Sequence, residues 1–77
     1  MGGMTEVKIT KKEVKLGKRI KRLRRKVGLT QEQLAEKVNV STTHIGLVET
    51  GKRRVSLKTL QKIASALEVK VKELLPF

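Results

Sequence analysis

Leu29 to Gly51 reads LTQEQLAEKVNVSTTHIGLVETG, and its grammar is that of two short helices joined by a tight turn. Thr30 can cap a helix with its hydroxyl, and Gln33, three residues on, can reach back to the N–H of the cap, which is a capping box. Leu29 and Leu34 flank that start as a hydrophobic staple. Leu34, Ala35 and Val38 then fall on one face at helical spacing. Asn39 tolerates the left-handed conformation that ends a helix. The second half repeats the pattern. Ser41 caps, Val40 and Ile45 form the staple, Ile45 and Val48 point inward, and Gly51 closes the helix.

Two helices this close in sequence must cross steeply, and the small side chain of Ala35 lets the second lie across the first. The outward residues of the second helix are then Thr42, Thr43, His44, Gly46 and Leu47. This is a helix-turn-helix arrangement over residues 30–50, whose second helix is shaped to enter a DNA major groove.

Upstream, Leu16, Ile20, Leu23 and Val27 recur at i, i+4, i+7 and i+11, which predicts one buried stripe on a first helix. Thr10 and Glu13 offer it a capping box, and Gly28 ends it. Downstream, Ser56 caps a fourth helix with Val55 and Leu60 as staple, and Leu57, Leu60, Ile63, Ala64 and Leu67 are expected to face the core. Residues 69–75 form a last short helix or turn, with Val71, Leu74 and Leu75 apolar and Pro76 as its stop. Lys70 is a poor cap for that element. The expected fold is all-α, a compact five-helix domain over residues 13–77 with the helix-turn-helix at helices 2 and 3. Residues 1–12 read as a leader followed by a basic arm. Gly2, Gly3 and the second Met at Met4 have the look of an added start, and Thr5 to Ile9 fits a short strand, a flexible arm tracking DNA, or a disordered terminus.

The order of these residues resembles the Cro/repressor-like helix-turn-helix family of phage repressors and related regulators. Thr30, Gln31, Leu34, Ala35, Val38, Val40, Ile45, Val48, Glu49 and Gly51 carry the likeness. Leu16-x-x-x-Ile20-x-x-Leu23-Arg24 before them and Leu60-x-x-Ile63-Ala64-x-x-Leu67 after them extend it to residues 14–75. The resemblance implies a phage-repressor-like fold and a structural ion pair between Arg24 and Glu49. It also implies a phosphate clamp at Gln31, a further phosphate contact from Arg24, and a dimer contact at the chain end through Val71, Leu74, Leu75 and Phe77. Simple core packing is the alternative for those last four.

Composition agrees with a nucleic-acid partner. The chain has 77 residues, a formal charge of +12, no Trp, Tyr or Cys, and a single Phe, so the core must be aliphatic. A domain of this size buries only about 60% of its unfolded surface, so a second copy would help stability. Eleven of the nineteen basic residues lie between Lys8 and Lys26. A coat of cations suits a polyanion, because each neutralised phosphate releases condensed counterions. A lysine-rich surface of the heat-adapted kind is the alternative. No apolar run approaches the length of a membrane span and no signal peptide is visible, which fits a cytoplasmic, nucleoid-associated protein.

Lys52, Arg53 and Arg54 follow the second helix of the motif as three consecutive cations, placed for phosphate contact or for solvent. With Gln31 they would set register, leaving base reading to Thr42, Thr43, His44, Gly46 and Leu47. That face has no Arg, Gln or Asn, so strong bidentate base contacts are absent. Thr methyls and Leu47 can pack on thymine, His44 can donate or stand idle, and Gly46 costs about 1 kcal/mol against Ala inside a helix. With one His and no clustered carboxylates, the sequence holds no catalytic or metal-ligating set and implies no cofactor. Glu32 and Glu36, at i and i+4, simply support their helix. The expected function is a sequence-specific DNA-binding transcriptional regulator, acting as a homodimer on a pseudo-palindromic operator in double-stranded DNA. The alternative is a protein-interaction module of the same fold, an antitoxin or bridging coactivator whose partner is a toxin or the transcription machinery.

Overall fold

The computed structural model describes residues 11–75. Over them run five helices: α1 (Lys11–Lys26), α2 (Gln31–Val38), α3 (Thr42–Glu49), α4 (Leu57–Ala66) and α5 (Val71–Leu74). The all-α, five-helix expectation holds, with no strand among the described residues. Thr10 and its half of the first capping box, the arm at Thr5 to Ile9, and Phe77 lie outside the described residues.

The local signals are met atom by atom. Thr30 Oγ1 accepts from the Gln33 N–H at 3.0 Å, while Gln33 Oε1 accepts from the Thr30 N–H at 2.9 Å. Ser41 Oγ accepts from the His44 N–H and Ser56 Oγ from the Thr59 N–H. Each satisfies one of the orphan donors that every helix start exposes. At Lys70, whose side chain cannot accept, the Glu73 carboxylate instead accepts the Lys70 N–H at 2.8 Å and steadies the start of α5. The helix ends are equally regular. After α3 the Gly51 N–H donates to Val48 O and the Lys52 N–H to Leu47 O, the paired bonds of a Schellman end. The same pair follows α4, where Glu68 holds the left-handed position at φ 62°. An L residue is strained there because its Cβ crowds the following carbonyl oxygen, so Glu68→Gly is expected to raise stability by about 1 kcal/mol, read as a higher urea midpoint at unchanged slope.

The core is aliphatic. Ile20, Leu34, Val38, Ile45, Ile63, Leu67 and Leu74 are essentially sealed from water, each contributing roughly 1.5–3 kcal/mol of apolar burial. α3 packs on α1 and α2, α2 also on α4, and α5 closes the far side against α4 and α1.

Two stripes depart from expectation. In α1 the buried face is Leu16, Gly17, Ile20 and Arg24, whereas Val27 is 39% exposed. The helix stops at Lys26, so Val27 leaves it in the closing turn, and the inward row steps by four residues from Ile20 to Arg24. In α4, Leu57 is 65% exposed rather than facing the core. It is the first residue of the helix, and no described element extends far enough to cover that turn. Leu74 is 0% exposed. It is therefore a core residue and is not available as a dimer contact.

Candidate nucleic-acid interface

The start of α2 and the start of α3 meet along one groove, and a loop of exposed cations follows α3. Thr42 and Thr43 open α3 and are exposed, Gly46 and Leu47 one turn on are half-buried, and Ile45, Val48 and Glu49 turn inward. Dividing the helix this way leaves a short polar strip with two hydroxyls and little bulk.

What aims that strip is a buried network at the end of α3. Arg24 Nε donates to Glu49 Oε2 at 2.6 Å and Arg24 Nη2 to Glu49 Oε1 at 3.1 Å, a bidentate pair whose residues are 7% and 3% exposed. Arg24 Nη1 donates to the Leu29 carbonyl at 2.7 Å, in the turn between α1 and α2. Gln31 Nε2 adds a third bond to the carboxylate, 2.9 Å to Glu49 Oε1. One carboxylate on α3 thus gathers the end of α1 and the first residue of α2. A charge-assisted fork of this kind fixes both distance and plane. Three Arg24 nitrogens are spent inward, which leaves the guanidinium as a brace with little to offer a phosphate. Gln31 keeps its second amide N–H uncommitted to the ion pair, at the start of α2 beside free backbone donors.

Gln31 and Thr42 line one open groove together with Lys21 and Arg25 of α1. Those two cations were not singled out by the sequence. Their periodicity marked them only as part of the charged face of α1, and nothing local says which part of that face borders α2. Lys52, Arg53 and Arg54 are all exposed, but Arg53 and Arg54 also border a small cleft shared with Glu13, Val48 and Val55. Lys52 carries its charge at the tip of the turn.

His44 is placed differently from expectation. It is half-buried, and its Nε2 is shielded from solvent with no hydrogen-bond partner among the described residues. The third residue of α3 tucks its ring back toward the fold, so this edge of the imidazole does not belong to the outward strip.

Two glycines divide sharply. A Cβ built at Gly17 would lie 2.3 Å from Val48 O and 2.6 Å from Glu49 O, so α1 and the end of α3 touch backbone to backbone. Sequence reasoning missed it, although a glycine in the interior of a strong helix was the available signal. At Gly46, by contrast, a Cβ would meet nothing nearer than the Gln31 side chain at 3.9 Å. Internal packing does not require that glycine. Gly46→Ala is therefore expected to stabilise the fold by about 1 kcal/mol through helix propensity, measured by thermal or urea unfolding.

Among the described residues no cluster of His, Asp and Glu is arranged to hold a metal ion, and no helix is long and apolar enough to cross a membrane.

The likenesses to known proteins follow the same lines. A Helix-turn-helix family model matches residues 20–74. The control protein C.MunI of Mycoplasma sp is 36% identical over 63 residues, spanning 80% of this chain and 85% of that one. Among solved structures, the restriction-modification controller protein C.AhdI from Aeromonas hydrophila superposes with a TM-score of 0.77 at 43% identity, over 79% of this chain and 92% of its own. SinR, described as a master regulator for biofilm formation and solved in complex with DNA, gives a TM-score of 0.73 at 32% identity, over 77% of this chain and 95% of that chain. With more than half the chain matched to the family and the Thr30–Gly51 motif in place, the chain belongs to the helix-turn-helix family of DNA-binding transcription regulators.

Proposed function

We propose that this protein is a sequence-specific DNA-binding regulator that acts as a homodimer on a pseudo-palindromic operator. The observation that carries the reading is the exposed Thr42–Thr43 start of α3, held by the Arg24–Glu49–Gln31 network, with Lys21 and Arg25 lining the groove beside it and three exposed cations in the loop that follows the helix. α3 enters the major groove, where Thr42 and Thr43 offer one hydroxyl each and methyl contact to thymine, with Leu47 behind them. Gln31, Lys21 and Arg25 on one side and Lys52, Arg53 and Arg54 on the other hold the phosphates and set register. Gly46 leaves the helix backbone bare beside Gln31, so the duplex can approach closely.

With no bidentate side chain on the strip, discrimination leans on methyl contacts, DNA shape and half-site spacing. A second copy places the two α3 helices in successive grooves, about 34–36 Å apart. Val71 and Leu75, both half-buried, offer apolar edges for that copy, since Leu74 is taken by the core. The protein works in the cytoplasm, on the nucleoid.

Selecting bound duplexes from a random pool at two salt concentrations tests the reading. The expected result is an enriched inverted repeat with half-sites about one helical turn apart. Gly46→Ala, although more stable, is expected to bind that repeat more weakly. Binding with no enriched sequence, collapsing as salt rises, would leave only non-specific attraction. It would favour the second reading, a protein-interaction module docking through Leu47.

A further inference from the structure

We infer that the outer face of α1 is a second phosphate track, which holds the duplex flanking each operator half-site. The inference rests on the DNA-binding reading above and extends it to a surface outside the helix-turn-helix. Lys15, Lys18, Lys21, Arg22 and Arg25 are all exposed, and none has a hydrogen bond or ion pair with another described residue. They form a continuous band. Lys21 and Arg25 line the groove that also holds Gln31 and Thr42. The same two, with Lys18 and Arg22, make up the whole lining of the next shallow depression. Lys18 and Arg22, with Lys15 and Arg19, make up the whole lining of the one after it. No carboxylate lines either of the last two.

Such a ladder is costly for the helix, because like charges at i, i+3 and i, i+4 repel, and Lys15–Lys18, Lys18–Lys21, Lys18–Arg22 and Lys21–Arg25 are all of that kind. A merely solvated face is ordinarily laced with both signs. A single-sign ridge instead concentrates potential for a polyanion. Its occupant follows from where the band begins. It leaves the groove shared by Gln31 and Thr42, beside the strand that α3 engages, and runs back along α1. From Lys15 to Arg25 the helix rises about 15 Å, the length of roughly 4–5 base pairs of duplex. The DNA emerging from the half-site bends toward α1, and the added phosphate contacts offset the cost of bending.

The test compares wild type with Lys15→Gln/Lys18→Gln/Arg22→Gln on two duplexes between 50 and 200 mM salt. Both duplexes carry the selected operator. One ends at the helix-turn-helix footprint and the other continues about one helical turn beyond it on each side. A second triple variant, Lys37→Gln/Lys62→Gln/Lys72→Gln, removes the same charge from exposed sites off the band. Wild type is expected to bind the longer duplex more tightly and with a steeper salt slope. The α1 variant should lose that excess, its slope falling by up to about 2.7 per protomer, at roughly 0.9 per phosphate, while its affinity for the short duplex changes less than about twofold. The off-band variant should keep the excess. Equal losses on both duplexes, or an equal loss in the off-band variant, would mean general attraction and overturn the track. No loss in any variant would make the face a solvated one. Wild type that binds neither duplex would bring down the DNA-binding reading and the track with it. The two failures are thus distinct.

Discussion

Glu49→Ala is expected to destabilise the protein by about 3–5 kcal/mol, which for a domain of this size lowers Tm by more than about 12 °C. The size follows from burial. An exposed ion pair contributes little, with a median near 0–1 kcal/mol, but the Glu49 side chain is 1% exposed and the Arg24 side chain 8%. Removing the carboxylate leaves two largely buried guanidinium nitrogens, Nε and Nη2, without their acceptor. Replacing both partners at once behaves differently, because a well-packed apolar pair has no charge to strand. Arg24→Met/Glu49→Leu is therefore expected to recover much of the lost stability. It should not recover DNA binding, since the Gln31 amide has lost the oxygen that orients it at 2.9 Å. Thermal unfolding of the single and double variants, followed by operator titration of the double, separates the two roles. An unchanged Tm in Glu49→Ala would mean that the pair is open to solvent.

Gly17→Ala is the second large effect, and its sign opposes helix propensity. On a lone helix the change would stabilise by about 1 kcal/mol. In the fold the new methyl would sit 2.3 Å from Val48 O and 2.8 Å from the Glu49 carbonyl carbon. Those are backbone atoms of the last turn of α3, held by the Gly51 and Lys52 N–H bonds that close the helix, so no side chain can swing aside. α1 must retreat by about an ångström or more, opening the core around Ile20 and Val48, and overpacking of this kind costs about 3 kcal/mol or more at its severe end. Gly46→Ala is the matched control, the same substitution in a helix with an expected gain. Urea midpoints moving in opposite directions would verify both. A gain at Gly17 would mean that α1 and α3 do not approach this closely.

The helix-turn-helix was legible because its signals are local. The Thr30–Gln33 capping box, the Ser41 and Ser56 caps and the Gly51 turn each join groups within a few residues of one another. Helix geometry places such groups together wherever the helix happens to lie. Apolar spacing was less decisive at the ends of elements. Val27 and Leu57 continue their stripes in sequence yet stand exposed, because a periodic pattern says which face is apolar and not how far the neighbouring helix reaches.

The amino-acid sequence by itself therefore determined the five helices, the side-chain caps of α2, α3 and α4, an aliphatic core and a strongly basic surface. All of these depend on short-range hydrogen bonding, composition and periodicity. The tertiary structure alone decided how these pieces serve one another. Gln31 meets Glu49 across 18 positions and so joins the Arg24–Glu49 pair that the family resemblance implied, a network that exists only at one set of helix crossings. The same crossings turn the His44 Nε2 edge inward, demand a bare backbone at Gly17 and leave space at Gly46. They also commit Leu74 to the core rather than to a second copy. Each of these outcomes is set by the distance and angle between elements far apart in the chain, which residue spacing does not encode.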